Sequence, residues 1–278
     1  MPQTHPWLDI TRGTAPLILS IPHAGTDIPD EIAPTLADSW LARKDADWHV
    51  GELYAFAAGL GATIIRTRLS RTVIDMNRPP DGASLYPGQV TTDLCPLTSF
   101  DGQPLYRPGY EPDAEEVARR RDLYHTPYHK ALAMEIARLR ERHARVVLYD
   151  CHSIRSHVPR LFDGELPHFN IGTNGGTSCA PALQAAIERV CDATQFSRVS
   201  NGRFKGGYIT RHYGQPVNGV QGVQMELACR GYLAEPLGPV DATNWPPAFD
   251  PTYAAPMRTA LTDILTICRD WALEGDST

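Results

Sequence analysis

The sequence predicts an α/β fold, with a mostly parallel central sheet and helices on both faces. Three observations carry that expectation. Short apolar runs of strand length alternate with longer amphipathic stretches along the chain. The runs at 16–21 and 146–150 are almost continuously apolar, as strands covered on both faces are. The chain has 278 residues, 42% of them hydrophobic, enough to bury one large core, so we expect a single domain over 1–278.

Residues 16–21 read as a buried strand that runs into Pro22 and His23. Residues 30–43 have helical spacing, with Ile32, Leu36, Trp40 and Leu41 on one side and Pro34 placed in the first turn. Residues 47–60 read as a second helix, closed by Gly61 as its C-terminal cap. Strands are expected at 62–66 and 72–75. The stretch 77–110 is rich in proline and glycine without a clear period, which in a compact domain suits a wall or lid of a site. Residues 113–142 form one long helix, or two joined near Pro127. The strand at 146–150 leads straight into Cys151 and His152. A strand at 169–171, a helix at 181–191, strands at 198–200 and 222–227, and a closing helix at 253–271 complete the chain.

Composition excludes several classes of function. A formal charge of −6 is the opposite of the basic footprint of a nucleic-acid binder. No apolar run approaches the roughly 18 residues of a membrane span, and the first residues lack the basic start and apolar stretch of a signal peptide. The six cysteines are scattered, without a paired C-x-x-C spacing, and read as reduced, buried thiols of a cytoplasmic protein.

In an open parallel sheet, functional groups gather beyond the carboxyl ends of the strands. His23, Asp75, Asp150, His152 and Glu226 all sit in, at or just past apolar runs. Neutral imidazole is a good zinc ligand, and a catalytic zinc site takes about three protein ligands plus an open position. His23 and His152 supply two, so one zinc ion also needs a carboxylate. Asp27, Asp30, Glu31, Asp45 and Asp47 all follow His23. Asp47 is favoured, since it opens a helix that can return it toward the first strand, with Asp27 as its rival. Asp150 either accepts the second N–H of His152 or lines the floor of the pocket. Glu226 lies in a largely apolar strand, where burial demands a cation, a metal or a proton and raises the pKa toward that of a general base. Arg71, Arg78 and Arg211, together with Asn77 and Thr210, occur in polar stretches suited to gripping carboxylates, so the expected partner is a small anion.

Taken in order, Ser20-Ile-Pro-His-Ala-Gly25, Ser70-Arg-Thr-Val-Ile-Asp-Met-Asn-Arg-Pro79, Asp150-Cys-His-Ser153, Gly206-Gly-Tyr-Ile-Thr-Arg-His-Tyr-Gly214 and Val223-Gln-Met-Glu-Leu227 resemble the N-formylglutamate amidohydrolase family. More distantly the set is similar to the zinc carboxypeptidase-like fold, including aspartoacylase. There an Asp-x-His supplies a zinc ligand, an Asn-Arg pair binds the substrate carboxylate, and a late-strand glutamate is the base. By position the resemblance gives those roles to His152, to Asn77 with Arg78, and to Glu226, with His23 as the first ligand. The wider fold has a His-x-x-Glu at that first ligand, whereas this chain has Thr26, so the carboxylate must come from elsewhere. The resemblance implies zinc-dependent hydrolysis of N-formyl-L-glutamate, a small anionic N-acyl amino acid, to formate and glutamate in histidine degradation. Another N-acyl acidic amino acid as substrate, and a non-catalytic zinc- or carboxylate-binding protein, are the competing readings.

Overall fold

The computed structural model describes residues 5–85, 88 and 91–275. Its strands are β1 (Leu8–Thr11), β2 (Leu17–Ile21), β3 (Thr63–Thr67), β4 (Val146–Ile154), β5 (Phe169–Gly172), β6 (Arg198–Ser200) and β7 (Val220–Ala228). They form one seven-stranded sheet in the order β1-β3-β2-β4-β7-β5-β6. β2 runs parallel to β3 and β4, β4 to β7, and β5 to β6. β1 lies antiparallel to β3, and β5 antiparallel to β7. The sheet is thus mostly parallel, as expected, with two reversals toward its edges.

The helices among the described residues are α1 (Leu41–Lys44), α2 (Val50–Leu53), α3 (Ala114–Arg120), α4 (Thr126–Arg140), α5 (Pro181–Asp192), α6 (Tyr208–Tyr213) and α7 (Pro251–Glu274). Every residue of β2, β4 and β7 is buried, whereas edge strand β6 is only half-buried. That contrast is what two covered faces impose on central strands. The pleat sends Val147, Tyr149, Cys151, Val223, Met225 and Leu227 to one face. They pack there with Met257, Leu261, Ile264 and Leu265, which recur at helical spacing along α7. The other face presents Ile18, Val146 and Leu148 to Tyr128, Leu132 and Leu139 of α4. Each such aliphatic side chain contributes about 1.5–3 kcal/mol by leaving water.

The same pleat determines where the polar residues stand. Asp150 and His152 share the α4 face with Leu148, and the ladder sets Asp150 level with Gln224 and His152 level with Glu226. The apolar half of that face builds core, and its carboxyl-terminal half builds a site.

Several local expectations are corrected. Residues 30–43 are not one helix. Ala33–Thr35 is a single 3-10 turn, and Ala37 N–H donates to Leu105 O, so the chain runs extended there before α1. The apolar spacing of Ile32, Leu36 and Leu41 records burial of an irregular segment rather than a helix face. Residues 47–60 are not one helix: His49, with a left-handed φ of 59°, holds off its start until α2, and beyond Tyr54 the chain continues as a 3-10 stretch, Ala55–Leu60. Gly61 does close that stretch, with φ 73°. The expected strand at 72–75 is a turn in which Val73 N–H reaches Ser70 O at 2.9 Å. Residues 113–142 hold α3 and α4, joined through a π-helical turn, Arg121–His125, that carries the helix past Pro127. Asp113 caps α3 by accepting from Glu116 N–H at 2.9 Å.

β1 and α6 were not expected, being only four and six residues long. The 77–110 stretch is largely irregular, and residues 86, 87, 89 and 90 lie outside the described residues, as do residues 1–4, on which the reading of the N-terminus rests. All six cysteines are free and buried. Among the described residues, no helix is long and apolar enough to cross a membrane.

Candidate active site

His23 follows β2 by two residues, and its carbonyl accepts Asp47 N–H at 2.9 Å. That bond folds Asp47 back onto the strand end, on a turn ahead of α2 rather than inside a helix. The liganding atoms of His23, Asp47 and His152 all lie within 4.8 Å of one another, and all three residues are buried. His152 Nδ1 stands 3.1 Å from Asp47 Oδ2, and His23 Nδ1 stands 3.8 Å from the same oxygen. Ligands at zinc-like bond lengths in tetrahedral geometry sit roughly 3.3 Å apart, so the spacing fits a single cation. Asp27, the rival carboxylate, instead lies about half exposed with an oxygen 3.3 Å from Arg68, and it is not part of this group.

The outward nitrogens are held just as firmly. His23 Nε2 lies 2.7 Å from Asp75 Oδ1, and His152 Nε2 lies 2.9 Å from Asp150 Oδ2. A carboxylate accepting Nε2–H fixes the tautomer whose Nδ1 lone pair faces inward. Asp75 also accepts Asn77 N–H at 2.9 Å and Arg71 Nη2–H at 2.8 Å. Asp150 accepts Ser20 Oγ–H at 2.8 Å, and Tyr128 Oη lies 3.0 Å from that hydroxyl. Among the described residues, His23 Nδ1, Asp47 Oδ1 and Arg71 Nε are buried polar atoms without a hydrogen-bond partner. Buried polar atoms are ordinarily bonded, so their convergence favours a ligand between them.

Charge points the same way. Burial pushes Asp75 toward protonation, but His23, Arg78 and Arg71 outweigh it and hold the carboxyl well below its usual range. Burial and then Arg71 lower the pKa of His23, which keeps it neutral. Burial also works against a charged His152, yet Asp150 and Asp47 raise its pKa well above the ordinary value. Four acidic side chains thus crowd two imidazoles and Arg71, a setting that attracts a cation. Two imidazoles and a carboxylate are a donor set suited to a divalent transition metal. Burial, above all, raises Glu226 to about 8. A cation beside it would act in the opposite direction, lowering its pKa and favouring the ionised carboxylate.

The cleft over this group encloses about 600 Å³, part of it open to solvent. His23, His152, Glu226, Arg71 and Arg78 line it, and so do Phe100, Ile154, Leu161, Arg203, Phe204 and Gln224. The chain belongs to the N-formylglutamate amidohydrolase family. The model of that family matches residues 15–233, which include every group just described. An N-formylglutamate deformylase of Pseudomonas aeruginosa is 46% identical over 268 residues, covering 96% of this chain and 97% of that protein. A deformylase of the same name from Pseudomonas putida is 43% identical over 96% of this chain and 97% of its own length. The crystal structure of an N-formylglutamate amidohydrolase from Ralstonia eutropha JMP134 shares the fold, with a TM-score of 0.77 at 21% identity, covering 97% of this chain and 98% of that one. An Agrobacterium tumefaciens protein superposes with a TM-score of 0.69 at 18% identity, covering 98% of this chain and 96% of that one.

Within this family member, the residues expected at the site divide into groups. His23, Asp47, His152, Glu226, Arg71, Asn77 and Arg78 come together at one cleft. The Asn77 amide, however, is occupied by the protein. Its Nδ2 donates to Asp150 Oδ2 at 3.0 Å, and its Oδ1 accepts Ile209 N–H at 2.8 Å. The first turn of α6 therefore clamps Asn77, and Asn77 braces the Asp150–His152 pair. Three donors of Arg78 are engaged with Thr92 and with its neighbour's carbonyl. Thr210 is fully buried, while Arg211 donates to Gly206 O and Leu85 O, and neither lines the described cleft. Arg203 and Phe204, which the sequence reading did not select, do line it. The available signal was an arginine three residues before Gly206, followed by an aromatic residue, at the entry to the Gly206-Gly207 turn.

Proposed function

We propose that this chain hydrolyses N-formyl-L-glutamate to formate and L-glutamate with one divalent metal ion, zinc by preference, as a step of histidine degradation in the cytoplasm. The observation that carries this reading is the convergence of His23 Nδ1, Asp47 and His152 Nδ1 beside a buried Glu226, in a chain 46% identical to a curated deformylase. His23, Asp47 and His152 are the residues that would hold the ion. Bound there, it supplies a Lewis acid that acidifies water and polarises the formyl carbonyl.

The chain's own groups account for the rest. Glu226 takes a proton from the attacking water as the new C–O bond forms. It returns that proton to the amide nitrogen as the C–N bond breaks, and the formic acid formed gives its remaining proton to the amine, leaving formate and the ammonium group of glutamate. Arg71 is buried against Asp75 and Asp47, with its Nε unpartnered, and is placed to donate toward negative charge developing on the carbonyl oxygen. Arg78 stands at the same end and grips the α-carboxylate. Asn77 acts through the Asp150–His152 pair rather than on substrate.

The test is formate release from N-formyl-L-glutamate by metal-loaded protein, with N-acetyl-L-glutamate and N-acetyl-L-aspartate alongside. Preferential turnover of the formyl substrate, abolished by a chelator, supports the reading. Turnover confined to an acetylated substrate overturns the choice of acyl group but not the chemistry. No turnover of any of the three with metal bound overturns the catalytic reading.

A further inference from the structure

We propose that Arg203 reads the side-chain carboxylate of the substrate and so confines the enzyme to acidic N-acyl amino acids, an inference that rests on the deformylase reading above. The arginines of the cleft stand at different places. Arg71 and Arg78 both approach Asp75, at 2.8 and 3.9 Å, and Asp75 holds His23, so both belong to the end of the cleft where the amide must lie. Arg203 is anchored elsewhere. Its Nε donates to Leu161 O at 2.7 Å, and its guanidinium carbon lies 5.4 Å from the ring centre of Phe204. Leu161 and Phe204 pack with Phe100 and Ile154 in a small separate cluster, which forms the apolar wall of the cleft.

Substrate chemistry supplies the matching pattern. With the formyl carbon beside Glu226, the α-carboxylate is only a few bonds away, within the reach of Arg78. The side-chain carboxylate lies farther along two methylenes, which want an apolar wall, and ends in an anion, which wants a planar fork of donors. Leu161, Ile154 and Phe204 offer the wall, and Arg203 stands on it. The bond to Leu161 and the aromatic face fix the plane of the guanidinium, so little side-chain freedom remains to be lost on binding.

The test compares N-formyl-L-glutamate with N-formyl-L-glutamine, a neutral isostere that keeps the α-carboxylate. Wild type is expected to prefer the glutamate substrate in kcat/KM by on the order of 10²-fold or more. Arg203→Met should abolish most of that preference, lowering the glutamate value while changing the glutamine value less than about threefold. Arg203→Lys keeps a charge without the fork and should give an intermediate ratio. An unchanged ratio in both variants, or an equal loss on both substrates in both variants, overturns the proposal. A wild type inert on N-formylglutamate overturns the deformylase reading itself, and is told apart because it appears before any variant is made.

Discussion

His152 Nδ1 lies 3.1 Å from Asp47 Oδ2 across 105 residues of sequence, while its other ring nitrogen lies 2.9 Å from Asp150. His23 repeats the arrangement, with Nδ1 toward Asp47 and Nε2 on Asp75. Two imidazoles, each braced from behind by a carboxylate and each turned toward a third, make a group that could hold a cation, with its orientation set before any ion arrives.

That arrangement predicts a ranking of metal affinities. Asp47→Ala should weaken zinc binding by more than about 100-fold, and Asp75→Asn or Asp150→Asn by about 10–100-fold. Asp27→Ala, at a half-exposed carboxylate beside Arg68, should leave affinity unchanged. Competition titration against a chelating dye reads all four. Weakening by Asp27→Ala with none by Asp47→Ala would reverse the ligand assignment.

Glu226 sits level with His152 in the β4–β7 ladder and is buried, and among the described residues it makes no direct ion pair. Glu226→Gln keeps its shape and removes the base. The expected outcome is a kcat lower by on the order of 10²–10⁴-fold with zinc stoichiometry intact. A kcat within a few-fold of wild type would assign the proton transfer to another group.

Gly207 shows how closely the backbone of the 206–214 stretch approaches the site. A Cβ there would land on the Asn77 amide, which already bonds to Asp150 and Ile209. Gly207→Ala should therefore displace Asn77, loosen the Asp150–His152 pair and lower kcat by at least about tenfold. Steady-state kinetics at saturating metal are the check, and an unchanged kcat would show that Asn77 does not position His152.

Acid stability should depend on His129. Burial, and then the nearby His125, lower its pKa to about 3, and its Nε2 donates to Met76 O at 2.8 Å. The unfolded chain takes up a proton near pH 6.5, which the fold refuses until about 3. This group's contribution is therefore complete above about 6.5 and is lost as pH falls toward 3, by at most about tenfold in the folding constant per pH unit. His129→Gln keeps a donor and does not titrate. Urea unfolding at pH 7 and pH 5 should show the variant gaining on wild type as the pH drops. A gap independent of pH would contradict the assignment.

Much of this site was legible in the sequence because strand ends announce themselves. His23, Asp150, His152 and Glu226 sit at or in apolar runs that the sheet keeps as buried strands, unlike the shorter run at 72–75. Asp47 was reached for a different reason from the one that holds. It returns to the strand through a bond to the His23 carbonyl, not by opening a helix, and the left-handed His49 behind it leaves no periodic trace. Thr210 and Arg211 look like ligands in a polar stretch, yet the short helix α6 buries one and turns the other to backbone carbonyls. Six residues are too few for a period to show. Arg203 was missed because its role depends on Leu161 and Phe204 coming together, a contact made only by the fold.

In the proposed reaction an ion held by His23, Asp47 and His152 drives deformylation. The direct measurement is the rate of formate release from N-formyl-L-glutamate as metal-free protein is titrated with zinc. The expected result is no release without metal, then a linear rise that levels off at one equivalent and is absent in Asp47→Ala. Full activity in metal-free protein, or an unchanged titration curve in Asp47→Ala, would contradict it.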